Sequence, residues 1–183
     1  MSSRVMLFDA PDRFVAGTVG QPGERSFFLQ VQQGSRLISV SLEKSQVQAL
    51  AERLTYMIRE IKQSDPTIVI QRVPKDDKPL ATPIEEEFRV GLIGLAFDSE
   101  TVLIQVDLQA VSENEDEQSE FIDVDDLSGD QDIVRVHISP GIADAFAKRA
   151  MTVVNAGRTP CPFCGGPIDP RGHLCPRANG YRR

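Results

Sequence analysis

The sequence predicts an α+β protein made of two tandem strand-strand-strand-helix units that form an antiparallel body, followed by a small C-terminal zinc knuckle. Three observations predict this fold. Short blocks of the first half recur in the second, each half ends in one amphipathic helical stretch, and all three cysteines lie between position 161 and the end of the 183-residue chain. Each unit carries a single helix over three strands, so it can bury its apolar face only against the other unit.

The internal repeat rests on four short blocks. The pattern Phe-x-x-Gly-x-x-Gly at 14–20 returns at 88–94, and Phe-Leu-Gln-Val at 28–31 returns as Leu-Ile-Gln-Val at 103–106. Two further pairs follow the same order: Val-Ser-Leu at 40–42 with Val-His-Ile at 136–138, and Ala-Leu-x-x-Arg ending at Arg53 with Ala-Phe-x-x-Arg ending at Arg149. The spacing widens only in the second copy, across the acidic stretch 112–132, which we therefore interpret as an insertion.

The first unit spans residues 1–65. Segments 13–19, 26–33 and 36–42 are rich in Val, Phe, Ile and Leu and are separated by Gly- and Pro-containing turns, which predicts three strands. A helix follows, because its apolar residues recur on one stripe: Val47, Leu50, Leu54, Met57, Ile58 and Ile61. The helix is expected to end at Ser64-Asp65-Pro66, since residues before proline avoid the α region.

Residues 66–85 contain four prolines and predict an extended connector, with a candidate edge strand at 68–70. The second unit, 86–157, has predicted strands near 86–97, 101–110 and 132–138. Its helix begins after the N-cap Ser139, with Pro140 at the first helical position and a buried stripe of Ile142, Phe146, Ala150 and Val153. We expect roughly six to eight antiparallel strands in all, with the two units related by an approximate dyad.

Residues 158–183 form the predicted metal-binding tail. Cys161 and Cys164 bracket a turn followed by two glycines, and His173 and Cys175 lie two residues apart, so that both side chains leave the same face of an extended segment. Three thiols and one imidazole form a set that tetrahedral Zn²⁺ takes, and four protein ligands indicate a structural site. An iron–sulfur cluster and unliganded thiols are the alternatives, whereas a disulfide would leave one cysteine unpaired.

The charge pattern narrows the function classes. With 20 Lys+Arg against 27 Asp+Glu, the net charge is −7, which disfavours non-specific nucleic-acid binding. The acidic stretch 112–132 predicts a solvated loop or a docking surface for a basic partner, and the tail beyond Gly157 is basic. No apolar run is long enough to span a membrane, and clustered cysteines without a targeting segment indicate the cytoplasm.

Other conspicuous residues have ordinary structural interpretations. The paired glycines lack the context of a phosphate-binding loop, so they predict bulges or close backbone approach. His137 has no accompanying Ser or Cys motif that would make it a general base. Arg25, Arg53, Arg89 or Arg149 could hold a phosphorylated substrate between the units. Arg53 and Arg149 are also consistent with exposed helix positions.

The tail from Cys161 to Cys175 and the segment 14–25 together resemble an actinobacterial family called domain of unknown function 3090. The resemblance covers essentially the whole chain and implies an actinobacterial cytosolic protein, but it carries over no activity, substrate or catalytic residue. We therefore predict a non-enzymatic, zinc-stabilised adaptor with a protein partner. The alternatives are an enzyme acting on a phosphorylated small molecule between the two units, and nucleic-acid binding through the knuckle, for which few aromatic residues are available.

Overall fold

The computed structural model describes residues 3–112, 130–157, 159–166, 168 and 173–177, together with the backbone of 121–123. The described residues form eight strands and two helices. In chain order these are β1 (Val5–Phe8), β2 (Arg13–Val19), β3 (Ser26–Gln33), β4 (Arg36–Leu42), α1 (Lys44–Ser64), β5 (Glu86–Asp98), β6 (Leu103–Ala110), β7 (Phe121–Asp123), β8 (Ile133–Ile138) and α2 (Pro140–Asn155).

The strands form one mixed sheet in the order β1-β8-β6-β5-β4-β3-β2, with β7 paired to β5 beside this path. The expected antiparallel body is therefore only partly correct, because β4 pairs in parallel with β5, and β1 pairs in parallel with β8. The meander β2-β3-β4 and the meander β5-β6-β8 follow one another along the sheet with the same strand directions. The duplication and the expected approximate dyad between the units stay predictions.

The sheet curves so that its two halves share one core. The Nη1 group of Arg36 on β4 donates to the carbonyl oxygen of Leu7 on β1 at 2.9 Å, and the guanidinium lies 4.3 Å from the centre of the Phe8 ring. On the other side, Phe146 of α2 stacks on Phe14 of β2, with ring centroids 4.6 Å apart. A helix that follows the second meander thus packs on the first strand of the first meander, and neither unit buries its apolar face alone.

Helix α1 follows the predicted stripe. Its N-terminus forms a capping box, in which the Glu43 backbone N–H donates to Oε1 of Gln46 at 2.7 Å. Gln46 is itself buried, and its Nε2 donates to the carbonyl oxygen of Val90 on β5 at 3.0 Å. Every residue of the predicted stripe is buried except Met57, which is only partly buried at the edge of the core.

Helix α2 begins as the sequence predicts. The Ser139 hydroxyl oxygen accepts a hydrogen bond from the Ile142 N–H at 3.2 Å, and Pro140 occupies the first turn. Phe146 and Ala150 are buried as expected, whereas Ile142 and Val153 are only partly buried. The buried face also includes Ala143, Ala147 and Val154, because α2 is covered on two sides, by the sheet and by α1.

The connector 66–85 forms no strand, so the candidate edge strand at 68–70 was wrong. Side-chain anchors hold it instead. Arg149 is 7% exposed, not exposed as its helix position suggested, and it donates to the carbonyl oxygens of Ala16 at 2.6 Å, Lys78 at 2.8 Å and Asp76. Arg13 pairs with the Asp76 carboxylate at 2.6 Å. Gln30 exchanges two hydrogen bonds with the backbone of Ala81, at 2.9 and 2.8 Å.

The structure describes only part of the acidic insertion and allows a test of membrane-spanning helices only in the described residues. The acidic insertion 112–132 lies largely outside the described residues, but the backbone of 121–123 forms β7, an unpredicted strand that pairs in parallel with residues 93–95 of β5. Across the described part of the chain, neither helix is long and apolar enough to cross a membrane.

Candidate metal centre

The turn between Cys161 and Cys164 is closed by its own backbone. The Gly165 N–H donates to the Cys161 carbonyl oxygen at 2.8 Å, and the Cys161 N–H donates to the Gly166 carbonyl oxygen at 2.7 Å. Gly165 has a φ of 73°, in the left-handed region that glycine adopts without a steric penalty. The Cys-x-x-Cys-Gly-Gly spacing therefore folds as a knuckle, as the sequence predicts.

The four predicted ligands converge. The Sγ atoms of Cys161, Cys164 and Cys175 and a ring nitrogen of His173 all lie within 4.8 Å of one another. The Sγ atoms of Cys161 and Cys175 are 3.7 Å apart, and Sγ of Cys164 is 3.1 Å from Nε2 of His173. Tetrahedral Zn²⁺, with bonds of about 2.3 Å to sulfur and about 2.0 Å to nitrogen, separates its ligand atoms by about 3.5–3.8 Å. These four residues could hold a metal ion.

None of the three cysteines forms a disulfide, and the thiol pKa values of Cys161 and Cys164 are shifted in opposite directions. A separation of 3.7 Å between Cys161 and Cys175 is far longer than the bond of about 2.05 Å in a disulfide. Backbone N–H groups of Cys164 and Phe163 point at the Cys161 sulfur and lower its pKa to about 6. The pKa of Cys164 is raised: the Gly166 N–H favours its thiolate, but burial and the sulfurs of Cys175 and Cys161 outweigh that bond. One thiolate thus forms readily at neutral pH, and a cation would stabilise the others.

The surroundings of the cluster combine buried ligands with exposed apolar side chains. Cys161 and Cys175 are 5% and 6% exposed. The residues beside them are not covered, since Phe163 is 64% exposed and Leu174 is 87% exposed. Arg177 donates through Nη1 to the Phe163 carbonyl oxygen at 3.2 Å and joins the two ends of the knuckle. The remaining predicted tail residues, including Tyr181 and the terminal arginines, lie outside the described residues.

The four arginines proposed as anion holders do not converge. Arg149 donates to β2 and to the connector, Arg89 pairs with Glu43 at 2.7 Å, and Arg53 lies over the ring of Tyr56. Arg25 alone of the four lines a cavity of about 490 Å³. Of the four, the structure brings only Arg25 to this cavity, whereas Arg149 anchors residues 76–78. Binding of a phosphorylated substrate stays a prediction.

The other singled-out residues have structural roles. Nδ1 of His137 is 2.7 Å from the Asp9 carboxylate and Nε2 is 3.4 Å from Oε1 of Gln105, so its described partners include no nucleophile. Gly91 lies at a register shift between β5 and β6, where a Cβ would come within 2.8 Å of Cα of Val111. Gly17 lies against the side chain of Leu80, at the point where the connector crosses β2. The prediction of a bulge and close backbone approach is confirmed at Gly91, whereas at Gly17 a side chain makes the close approach.

Comparison with known families matches residues 6–175 to a family described as "Protein of unknown function (DUF3090)". The chain belongs to the DUF3090 family. The matched residues include both meanders and all four candidate ligands, and they end at the last of these, Cys175. No curated protein and no solved structure matches the chain. The family resemblance seen in the sequence is thus confirmed, and the actinobacterial origin of this DUF3090 member stays a prediction.

Proposed function

We propose that this DUF3090 protein is a non-enzymatic binding protein, an adaptor whose tail is held by one structural Zn²⁺ on Cys161, Cys164, His173 and Cys175. The convergence of the four ligand atoms within 4.8 Å carries the proposal. Three thiolates and one imidazole suit Zn²⁺, and four protein ligands leave no open position for a substrate or a reactive water. We place the protein in the reducing cytoplasm, where its thiols stay free to bind metal.

In this proposal the metal fixes an interaction surface. Phe163 lies inside the first ligand pair and Leu174 between the second pair, so a bound ion would order both exposed side chains at once. Apolar side chains that are already ordered lose little conformational entropy on binding. The sequence beyond Gly157 has five arginines against the single acidic residue Asp169. The partner that fits is a protein surface with an apolar centre and an acidic rim.

Metal analysis of the purified protein tests whether the four residues bind zinc. We expect one zinc per chain in wild type and a large loss of zinc in Cys161→Ser, because three ligands hold the ion more weakly. The body should keep its far-ultraviolet circular dichroism, since its strands and helices do not contain the ligands. Phe163→Ser is the matched control, because it changes the same turn without removing a ligand. Wild-type protein purified without chelator and free of zinc would contradict the metal assignment.

Affinity purification from cells tests the adaptor role. Wild type and Val69→Ser, which alters an 85% exposed apolar side chain of the connector, should recover the same protein in stoichiometric amount. The double variant Phe163→Ser/Leu174→Ser should lose it while keeping zinc. If all three proteins recover the partner equally, the partner does not bind through Phe163 and Leu174. A monomer without a stoichiometric partner would contradict the adaptor role, and recovery of nuclease-sensitive material would favour nucleic-acid binding through the knuckle.

A further inference from the structure

A cavity of about 490 Å³ lies on the body, where three separate segments meet. The turn before β3 contributes Arg25, the start of α1 contributes Lys44, and the C-terminal end of α2 contributes Asn155. Pockets that bind small molecules have volumes of about 300–1,000 Å³, so the cavity can hold a whole metabolite-sized ligand. Because the first two segments precede the connector and α2 follows it, a bound ligand would contact both meander units.

The wall of this cavity is positively charged. Within the described part of the chain, neither Arg25 nor Lys44 has a hydrogen-bonded or ionic partner, in contrast to Arg13 and Arg135, which pair with carboxylates at 2.6 Å. No Asp or Glu is among the described lining residues. The nearby cap residue Glu43 pairs with Arg89 at 2.7 Å.

The N-terminus of α1 adds little to this charge. Lys44 is the first residue of the helix, and the carboxylate of the preceding N-cap residue Glu43 accepts a hydrogen bond from the N3 backbone N–H. The positive charge of the wall therefore comes from the side chains of Arg25 and Lys44. Two side-chain cations fit a dianion better than a single carboxylate.

The rest of the wall combines polar and apolar groups. The buried ring of Phe27 and the buried side chain of Val154 line the cavity beside the Asn155 amide. An inorganic anion would leave this apolar surface in water, whereas an organic group attached to the anion would cover it.

We propose that this cavity binds a phosphomonoester of a small organic molecule. The phosphate contacts the Arg25 guanidinium and the Lys44 ammonium, and the organic group packs against Phe27 and Val154. The Arg25 fork binds two phosphate oxygens, and Lys44 supplies a second positive charge. The site does not depend on the metal ion or on the adaptor role, because none of its lining residues is a candidate ligand.

Isothermal titration calorimetry with phenyl phosphate, inorganic phosphate, benzoate and phenol tests the proposal. Phenyl phosphate should bind about tenfold more tightly than inorganic phosphate, because its ring covers the apolar wall, and phenol should not bind. Arg25→Gln and Lys44→Gln should each weaken phenyl phosphate binding about tenfold, through loss of a charge-assisted contact. Arg53→Gln, which removes a charge from α1 away from the cavity, should bind as wild type does.

Several outcomes would overturn the proposal. If wild type does not bind phenyl phosphate, the proposed site does not exist. If Arg25→Gln and Arg53→Gln lose the same affinity for phenyl phosphate, the binding depends only on the overall charge of the protein. Equal affinity for inorganic phosphate and phenyl phosphate would show that the apolar wall is not used, and benzoate binding as tight as that of phenyl phosphate would refute the phosphate assignment. Melting temperatures close to that of wild type would establish that the variants fold.

Discussion

At the scale of single residues, Arg53 and Arg149 occupy equivalent positions in the predicted repeat but have different surroundings. Arg53 lies on the outer face of α1 over the Tyr56 ring, whereas Arg149 lies under the connector and donates to carbonyl oxygens of two separate segments. Burial lowers the pKa of Arg149, and the nearby Asp76 carboxylate opposes this shift. The same residue type at the same predicted helix position is thus a surface charge in one unit and an internal anchor in the other.

Replacing Arg149 with Met should destabilise the protein by about 3 kcal/mol, because the carbonyl oxygen of the buried Ala16 loses its charged donor and that of Lys78 keeps only Arg13. Arg53→Met is the matched control and should change stability by less than about 0.5 kcal/mol. The measurement is the free energy of unfolding in urea for both variants. Similar values for the two would show that the buried guanidinium does not hold the connector.

Asp76 links stability to pH. Hydrogen bonds from Arg13 lower its pKa below the ordinary 3.8, opposed by partial burial and helped by the Lys78 N–H and by the charges of Arg13 and Arg149. A lowered pKa in the folded state means that the ionised carboxylate stabilises the fold above pH 3.8. This contribution is lost as the pH falls through the lowered value.

The variant Asp76→Asn should therefore be less stable than wild type at about pH 7, and the difference should shrink as the pH approaches about 3. Urea unfolding across this range measures the difference. Asp77→Asn, with a side chain that is 75% exposed, is the control and should follow wild type at every pH. A stability gap that is independent of pH would contradict the role assigned to the Asp76 carboxylate.

At the scale of elements, the connector 66–85 packs closely on the body although it has no regular secondary structure. It passes over the N-terminal turn of α2 so closely that a Cβ on Gly141 would lie 2.1 Å from the Gln71 carbonyl oxygen. It also crosses β2 at Gly17, where the Leu80 side chain fills the space of the missing Cβ. Small residues at these crossings let an irregular segment approach the first turn of a helix and the terminal strand of the sheet closely.

Gly141→Ala tests this packing against helix propensity. Alanine is a better helix former than glycine by about 1 kcal/mol, so propensity alone predicts a gain in stability. We expect instead a loss of about 1–3 kcal/mol and faster proteolysis within 66–85, because the new methyl group displaces the connector. Melting temperature and limited proteolysis measure both effects. A more stable and equally resistant variant would show that the contact with Gln71 is readily relaxed.

At the scale of the whole molecule, the two meanders pack as parts of one body. They share a sheet through the parallel β4–β5 pair, and α2 returns from the second meander to stack Phe146 on Phe14 of the first. A single apolar core therefore includes residues of both meanders and both helices. We expect one unfolding transition for the body and no independent folding of either half.

Phe146→Ala should lower stability by about 3–5 kcal/mol, because it opens a cavity between the two meanders. Far-ultraviolet circular dichroism and hydrogen exchange should report a single transition that includes β2 and β8 together. Phe163→Ala, which truncates a 64% exposed ring in the tail, is the control and should leave this transition unchanged. A Phe146→Ala protein in which β3 and β4 remain protected while β6 and β8 exchange would show that the halves fold separately.

Most secondary-structure elements follow directly from the sequence, because their signals are local. The strands of the first meander, the stripe of α1 and the Ser139 cap depend on side-chain alternation, helical periodicity and capping chemistry. The knuckle is also local: a short tail with two ligand pairs can close on one ion whatever body precedes it. The duplicated units remain a prediction from the same sequence patterns.

Other features depend on contacts between segments distant in the chain, and only the tertiary structure decided them. The parallel β4–β5 pairing fixed the relation of the meanders, and the path of the connector made Arg149 a buried anchor. The meeting of Arg25, Lys44 and Asn155 at one cavity depends on the return of α2 toward the first unit. Sequence periodicity reports which face of an element is apolar, but it does not report which distant element will cover that face.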